Sequence, residues 1–141
     1  MLRIRAFQEA DADDVVRLWV ACGLVRPWND PRKDIARKLA VQRELFLVGS
    51  VGDRIVATVM AGYDGHRGWI YYLAVDPAHR RQGLARQLLA DVEQHLRAAG
   101  CAKINLQIRH DNLDAIAFYR SVGFAEDAVV SMGKRLERDE A

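Results

Sequence analysis

The order of hydrophobic patterns predicts an α/β (α+β) fold, with a mixed central sheet of about six or seven strands flanked by about four helices. A strand-like run, Ile70–Val75, leads through an Asp-Pro turn into a helical pattern that ends at Gly100. Two apolar runs separated only by Gly52-Asp53 indicate a hairpin. Because half of the 141 residues are hydrophobic, we expect residues 1–141 to form a single domain around one core.

The composition excludes several classes of protein. The 21 basic and 19 acidic residues give a formal net charge of +2, which offers no extended field for a nucleic-acid partner. No apolar stretch approaches the length of a membrane span, so we expect no membrane partner and a cytoplasmic protein. Cys22 and Cys101 lack metal-ligand spacing, so we expect buried thiols in a reducing compartment and no metal.

The first half of the chain predicts one strand, two helices and then a hairpin. Leu2–Ala6 alternates as a strand with one buried face, and a helix with Trp19 on its apolar stripe then ends at Gly23. Two prolines bracket Trp28 in a segment that cannot be a regular helix, which predicts a loop before a second helix over Asp34–Glu44. The hairpin strands are expected over Leu45–Val51 and Arg54–Ala61.

The second half predicts a strand, helix, strand unit followed by a helix and a last strand. The helix that follows Gly83 leads to a fifth strand over Ala102–Ile108. Parallel strands joined in this way put the N-terminus of the helix at the carboxyl end of the first strand, where α/β sheets keep ligands. Asn112 can cap the next helix, which stops at Gly123, and Ala128–Met132 supplies a final strand or hairpin.

The turn before the third helix is a candidate anion site. Arg80 and Arg81 lie where the helix exposes unpaired N–H groups and the positive end of its dipole. Gly83 lets phosphate oxygens approach the backbone, and Ala85 keeps the next turn narrow. The alternative is a solvated basic turn before a core helix.

Two motifs resemble those of a known family. The order Arg80-x-x-Gly83-x-Ala85 resembles the pyrophosphate loop of the GNAT superfamily of acyl-CoA N-acyltransferases. Asn112–Phe124 is similar to that family's Asn-x-x-Ala-x-x-Phe/Leu-Tyr-x-x-x-Gly-Phe helix. The order of the elements resembles the GNAT layout over nearly the whole chain, which implies a splay between the fourth and fifth strands. The Arg-Pro-Trp-Asn-Asp-Pro segment and the glycine-rich loop 62–68 further resemble the bacterial YpeA-like branch.

This resemblance implies an N-acetyltransferase, which transfers an acetyl group from acetyl-CoA to a primary amine of a small molecule, peptide or protein. The amine attacks the thioester directly, a backbone N–H of the fourth strand stabilises the oxyanion, and Tyr119 protonates the departing thiolate. The residues implied for acetyl-CoA are Leu73, Ala74, Val75, Arg80, Arg81, Gln82, Gly83, Leu84, Ala85 and Asn112. The alternatives are a core aromatic for Tyr119 and a simple helix cap for Asn112.

One departure from the family leaves the general base open. Gln107 stands where the ribosomal-protein N-terminal acetyltransferases have a glutamate, and glutamine cannot accept a proton from the amine. Bulk solvent or a water chain could take that proton. The side chains that remain as alternatives are Asp64, His66, Glu44 and Tyr71.

Two loops are candidates for the acceptor site because they combine aromatic rings with carboxylates. Such a pocket suits a cationic amine through charge and cation–π contact. The candidate residues are Trp28, Asp30, Tyr63, Asp64, His66 and Trp69. The alternative is a pair of loop tips with solvated polar side chains, and a homodimer stays open beside a monomer.

Two other functions compete with an enzyme. A noncatalytic acyl-CoA-binding or sensing module would keep the basic loop but would not need Tyr119, whose presence favours the enzyme. A nucleotide-phosphate binder of another α/β type is disfavoured, because the chain has neither Gly-x-Gly-x-x-Gly after a strand nor a Gly-Lys-Ser/Thr loop.

Overall fold

The computed structural model describes residues 1–139. The strands in this range are β1 (Arg3–Ala6), β2 (Phe46–Val51), β3 (Arg54–Tyr63), β4 (Gly68–Val75) and β5 (Ile104–Leu106). The α-helices are α1 (Ala12–Ala21), α2 (Pro31–Leu39), α3 (Leu84–Ala98) and α4 (Leu113–Ser121). Short 3₁₀ turns lie at Glu9–Asp11, Arg43–Leu45 and Pro77–His79. No helix within residues 1–139 is long and apolar enough to span a bilayer.

The five strands form one sheet in the order β1-β2-β3-β4-β5. The first four strands pair antiparallel, and β5 adds to β4 in parallel through the α3 crossover. A crossover is required there because a short turn cannot join parallel neighbours. This mixed sheet with helices around it confirms the predicted fold class.

Helices cover both faces of the sheet, and alternate residues of its inner strands pack against them. In β2, the side chains of Phe46 and Val48 join the cluster that includes Trp19 of α1, whereas Leu47 joins the cluster that includes Leu88 of α3. The period of two along a strand produces this division. The sheet is therefore buried on both sides, with α1 and α2 on one face and α3 on the other.

The pairing of β4 with β5 ends early. Three residue pairs join the strands, from Gly68–Ile104 to Ile70–Leu106. Beyond them the β4 edge from Tyr71 to Val75 has no strand beside it in residues 1–139. This opening confirms the predicted splay, and it shortens the fifth strand from the expected Ala102–Ile108.

The sheet has five strands in the described residues, and the prediction of six or seven was wrong. The final strand expected over Ala128–Met132 is an irregular segment. Val129 and Val130 leave 76% and 86% of their surface exposed, so no buried face specifies a strand register there. Side-chain bonds hold the preceding residues, because the Asp127 carboxylate accepts from Lys103 Nζ at 2.9 Å and from Asn105 Nδ2 at 3.0 Å.

The second helix begins earlier and ends earlier than predicted. Pro31 occupies its first position, where the missing N–H costs nothing and the fixed φ suits a helix. The Asp30 carboxylate accepts from the backbone N–H groups of Arg32 at 2.8 Å and Lys33 at 3.3 Å. Pro31 therefore starts α2, and the prediction of a helix from Asp34 was wrong because the proline was taken only as a helix breaker.

A buried carboxylate at the far end of the described chain supports this helix start. The side chain of Asp139 is only 1% exposed. It accepts from the Asp30 N–H at 2.9 Å and from the Arg37 guanidinium at 2.5 and 3.1 Å. These bonds hold the pKa of Asp139 well below its usual range, with the Arg37 bond as the largest cause.

Asp11 lies at the N-cap position of α1, and its side chain forms a bidentate ion pair instead of a cap. Its carboxylate accepts from the Arg5 guanidinium at 2.7 and 2.9 Å and from the Gln8 N–H at 2.9 Å. The Arg5 hydrogen bond is the main reason that the pKa of Asp11 lies below its usual value. The pair joins β1 to the segment that begins α1.

We predict that Asp11→Asn lowers the free energy of unfolding by about 1 to 2 kcal/mol at neutral pH, since Arg5 loses its charged partner. A lowered folded-state pKa contributes stability that is present above the unfolded value of about 4 and is lost as pH falls. Urea denaturation should therefore show a difference from the unsubstituted protein that shrinks between about pH 5 and pH 3.

Asp13→Asn is the matched control for this prediction. The Asp13 carboxylate pairs with Arg32 at 2.9 Å but is 76% exposed, so its loss should change stability by less than about 0.5 kcal/mol. A stability gap for Asp11→Asn that stays constant from neutral pH to pH 3 would contradict the ion-pair explanation.

Candidate active site

A β-bulge interrupts β4 where its pairing with β5 has ended. Opposite β3, the register moves from Met60–Tyr71 to Thr58–Ala74, so Tyr72 and Leu73 both lie across from one residue of β3. Tyr72 has a φ of 52°, in the left-handed region that residues with a Cβ rarely adopt. Bulges of this kind occur often beside active sites, where they redirect a strand.

The bulge determines which β4 amides face the splay. Asp76 donates its N–H to Val56 O of β3 at 2.8 Å. Successive N–H groups along a strand point to opposite sides, so the N–H groups of Val75 and Leu73 point away from β3 and towards the open edge. Three β4 residues were predicted to bind the coenzyme. Leu73 and Val75 direct their N–H groups to the open edge of β4, whereas the N–H of Ala74 points to β3.

The predicted anion loop joins the end of β4 to α3. Arg81 and Gly83 both have left-handed backbone, with φ values of 64° and 76°. Left-handed residues within a turn can direct neighbouring N–H groups into an anion-binding concavity. An added Cβ at Gly83 would meet no atom within 4 Å, so the glycine is explained by its φ rather than by lack of space.

The side chains of the loop divide into solvent-facing and buried groups. Arg80, Arg81 and Gln82 are exposed before the first turn of α3, whereas Leu84 is only 6% exposed. Arg80 Nε donates to Val75 O at 3.4 Å, which connects the loop to the open edge of β4. Leu84 can thus offer a ligand only its backbone, while Ala85 is half-buried in the same turn.

Tyr119 lies in α4 with its ring fixed by two aromatic neighbours. Its centroid is 5.2 Å from that of Phe118 and 5.4 Å from that of Phe124, both in edge-on geometry. Tyr119 and Leu73 pack against the same buried cluster. Burial raises the pKa of Tyr119 to about 12, and no group within residues 1–139 bonds its hydroxyl. The hydroxyl therefore stays protonated at neutral pH and can donate a hydrogen bond.

Asn112 serves as the cap of α4. Its Oδ1 accepts from the Ala115 N–H at 3.1 Å, which satisfies one of the unpaired donors at the helix start. This is the structural alternative that the sequence left open for Asn112. The cap also fixes where the helix begins and thus the turn on which Tyr119 lies.

The α1–α2 loop contains two predicted acceptor residues that already have partners. The Arg109 guanidinium lies 5.6 Å from the centroid of the Trp28 ring, and Arg135 donates to the Trp28 carbonyl. The Asp30 carboxylate is occupied by the cap of α2. An Arg on the ring supports the expectation that Trp28 can bind a cation, but here the cation belongs to the chain itself.

The β3–β4 hairpin contains the other acceptor candidates. The Asp64 carboxylate accepts from the N–H groups of Arg67 at 2.7 Å and His66 at 2.8 Å, and these bonds lower the pKa of Asp64. The Tyr63 hydroxyl donates to Gly100 O at 3.2 Å, so the hairpin is tied to the end of α3. Trp69 is half-buried on β4 beside Asn105 of β5.

In both loops the backbone bonds fall on one carboxylate oxygen, since Asp30 and Asp64 each accept two backbone N–H groups at Oδ1. A cationic-amine site formed by the six candidates stays a prediction. Turn and cap residues of this type commonly bond their own backbone. Trp28 and Trp69 remain as aromatic surfaces.

The general base stays unassigned. A base works best with a pKa near the operating pH, whereas backbone bonds lower the pKa of Asp64 and burial raises that of Tyr71. Gln107 donates to the Ser131 hydroxyl. No group of three or more metal-binding side chains occurs within residues 1–139.

Sequence reasoning missed the bulge and the left-handed Tyr72. No turn residue marks this position, because tyrosine is common in regular strands. A weak signal was the succession of Tyr71 and Tyr72, which breaks the alternation of the strand. The buried Thr58, which pairs with Ala74 next to the bulge, gave no signal in the sequence.

The mixed sheet, splayed beside a bulge and followed by a basic turn at the start of α3, has the layout of the acyl-CoA-dependent acyltransferases. The profile of the acetyltransferase (GNAT) family matches residues 12–124. An acetyltransferase of Yersinia enterocolitica is 46% identical over 139 residues, and one of Sodalis glossinidius is 46% identical over 140 residues, each covering 99% of both chains. The chain belongs to the GNAT family and is an N-acetyltransferase.

A solved structure gives the same result for the fold. The structure of Ard1 from Thermoplasma volcanium superimposes with a TM-score of 0.79 at 27% identity, covering 90% of this chain and 84% of that chain. GNAT acetyltransferases use acetyl-CoA and act on amines.

We predict that Asn112→Ala lowers the free energy of unfolding by about 1 kcal/mol, because α4 loses its cap. Asn112→Ser keeps an oxygen that can accept from the helix N–H and should stay within a few tenths of a kcal/mol of the unsubstituted protein. Urea denaturation of the three proteins checks this. Equal stability of the alanine and serine variants would show that the cap contributes nothing.

Proposed function

We propose that the chain catalyses direct transfer of the acetyl group from acetyl-CoA to a primary amine, with the coenzyme along the open edge of β4. The observation that carries this proposal is the continuity of that edge. It begins at the bulge, exposes the amides of Leu73 and Val75, and ends at the turn where Arg81 and Gly83 precede α3. A ligand with an extended chain that contains amide groups, followed by a pyrophosphate, would match the order of these donors along the edge.

Three parts of acetyl-CoA have partners of suitable chemistry along this path. The pantetheine amides pair with the β4 backbone as an added strand would. The pyrophosphate binds the N–H groups at the start of α3 and the exposed guanidinium of Arg81, since a helix N-terminus and positive charge both favour an anion. The thioester then lies beside the bulge, where the Leu73 N–H can donate to its carbonyl oxygen.

The reaction begins when the amine nitrogen attacks the thioester carbonyl carbon. The carbonyl π electrons move to oxygen, and the Leu73 N–H stabilises that charge by a preorganised hydrogen bond. When the intermediate collapses, the C–S bond breaks and its electron pair goes to sulfur. One proton leaves the nitrogen and one reaches the sulfur, so the products are the amide and free coenzyme A.

Tyr119 donates its O–H to the departing sulfur. Its pKa of about 12 exceeds that of an ordinary thiol, about 8.5, so complete transfer from tyrosine to thiolate is unfavourable by roughly 5 kcal/mol. The hydrogen bond to the developing thiolate therefore supplies the stabilisation. The proton released by the attacking nitrogen goes to solvent, and the departing sulfur takes up a proton from solvent, so the step balances.

The experiment that tests the proposal is an acceptor screen that follows release of free coenzyme A thiol. Polyamines, aminoglycosides, peptide N-termini and protein lysines represent the four acceptor classes. Thiol release that depends on an acceptor of one class supports the enzyme and identifies the class of its substrate. Tight acetyl-CoA binding without release in any class would favour the noncatalytic acyl-CoA module.

We predict that Gly83→Glu weakens acetyl-CoA binding at least about 100-fold, because a carboxylate enters the anion site and a side chain is forced into left-handed backbone. Calorimetric titration measures the affinity. Gly52→Glu is the matched control, since Gly52 also has a positive φ of 60° and no neighbour within 4 Å of an added Cβ. Unchanged affinity in a folded Gly83→Glu protein would contradict the assignment of the anion site.

We predict that Tyr119→Phe lowers kcat roughly 100-fold with little change in acetyl-CoA affinity, because only the hydroxyl is lost and the ring still packs. In the unsubstituted protein kcat/KM should rise with pH as the amine deprotonates. It should show no fall due to Tyr119 below about pH 11, since its pKa is raised. Equal turnover of the two proteins would show that the Tyr119 hydroxyl takes no part in the reaction and that the ring only packs in the core.

A further inference from the structure

Tyr72 holds an unfavourable backbone conformation at the bulge. Its φ of 52° lies in the left-handed region, where a Cβ clashes with the following carbonyl group. Such conformations persist only where the surrounding structure over-determines them, and they concentrate at functional sites. The contacts that hold Tyr72 are therefore informative.

Three different parts of Tyr72 are held by three different elements. Its carbonyl oxygen accepts from the Thr58 hydroxyl of β3 at 2.9 Å. Its ring stacks on Trp19 of α1, with 3.8 Å between centroids and 11° between planes. Its own hydroxyl donates to Asp34 Oδ2 of α2 at 2.6 Å.

Two of these partners also bond each other. The indole Nε1 of Trp19 donates to the Thr58 hydroxyl oxygen at 2.9 Å, while that hydroxyl donates its own hydrogen to Tyr72 O. Trp19 and Thr58 are both fully buried. Every polar atom of this circuit thus has a partner inside an otherwise apolar cluster, and a change in one bond leaves another buried group unsatisfied.

We propose that Tyr72 is a positioning residue that, held by Thr58, Trp19 and Asp34, fixes the bulge and so directs the Leu73 N–H at the thioester carbonyl. The inference rests on the proposed function. Without these contacts the strained residue can return to extended backbone, and the register of β4 against β3 shifts by one residue. A shift of one residue reverses the side to which each backbone N–H points, so the Leu73 N–H would turn to β3.

The first test uses acetyl-CoA labelled with ¹³C at the thioester carbonyl, and it needs no acceptor. A hydrogen bond from Leu73 polarises the carbonyl, so the carbon resonance should move downfield when the labelled coenzyme binds the unsubstituted protein. In Thr58→Val, which keeps the shape but removes the hydroxyl, we expect most of this shift to disappear. Affinity should remain within threefold. Thr58→Ser keeps the hydroxyl and should restore the shift.

The second test measures kcat and KM separately, with an acceptor found in the screen. We expect Thr58→Val to lower kcat at least tenfold with the acetyl-CoA KM within threefold, and Thr58→Ser to stay within twofold in both. Asp11→Asn is the control for lost stability. Asp11 bonds Arg5 and Gln8, outside the Tyr72 circuit and outside the cluster that supports Tyr119 and Leu73, so its substitution should lower the melting temperature without changing kcat or the carbonyl shift.

The outcomes separate this inference from the proposed function. A full carbonyl shift in folded, coenzyme-bound Thr58→Val overturns the inference and leaves the enzyme intact. Failure of the unsubstituted protein to bind acetyl-CoA overturns the proposed function and the inference with it. If Thr58→Val does not fold, Tyr72→Phe, which removes only the bond to Asp34, must show a reduced shift and a reduced kcat. Normal values in that variant overturn the inference.

Discussion

The unequal pairing of β4 is the constraint on which the rest of the site depends. On one side β4 is bonded to β3 along most of its length, and on the other it pairs with β5 for only three residues. Unpaired backbone donors inside a protein are costly unless something satisfies them. The free edge leaves the amides of Leu73 and Val75 without a strand partner in residues 1–139, and the proposed position of the coenzyme uses this opening.

Sequence patterns predicted the parts of this arrangement that depend on local chemistry. Gly83 was identifiable as a residue without a side chain at a helix start, and the structure adds the reason that its backbone is left-handed. The start of α4 at Asn112 was readable for a similar reason, since an amide oxygen can cap the first turn. The apolar stripe of α3 was predictable because its apolar residues recur about every four positions, which places them on one face of a helix.

The features that escaped prediction depend on partners far away in the chain. Tyr72 adopts its conformation because Thr58, 14 residues earlier, and Asp34, 38 residues earlier, both bond it. Neither contact leaves a local pattern. The carboxylates of Asp30 and Asp64 are the opposite case, because backbone N–H groups two and three residues away bond one oxygen of each, and composition alone does not reveal these local bonds.

The bond between Asp139 and the start of α2 has a consequence for the order of folding. More than 100 residues separate Asp139 from Asp30 and Arg37, and such distant contacts form late because long loops must close first. During synthesis all five strands emerge before Asp139 does. Helices pack on both faces of the sheet. Among them, we expect the N-terminal end of α2, with the Trp28 loop before it, to gain full protection from hydrogen exchange last.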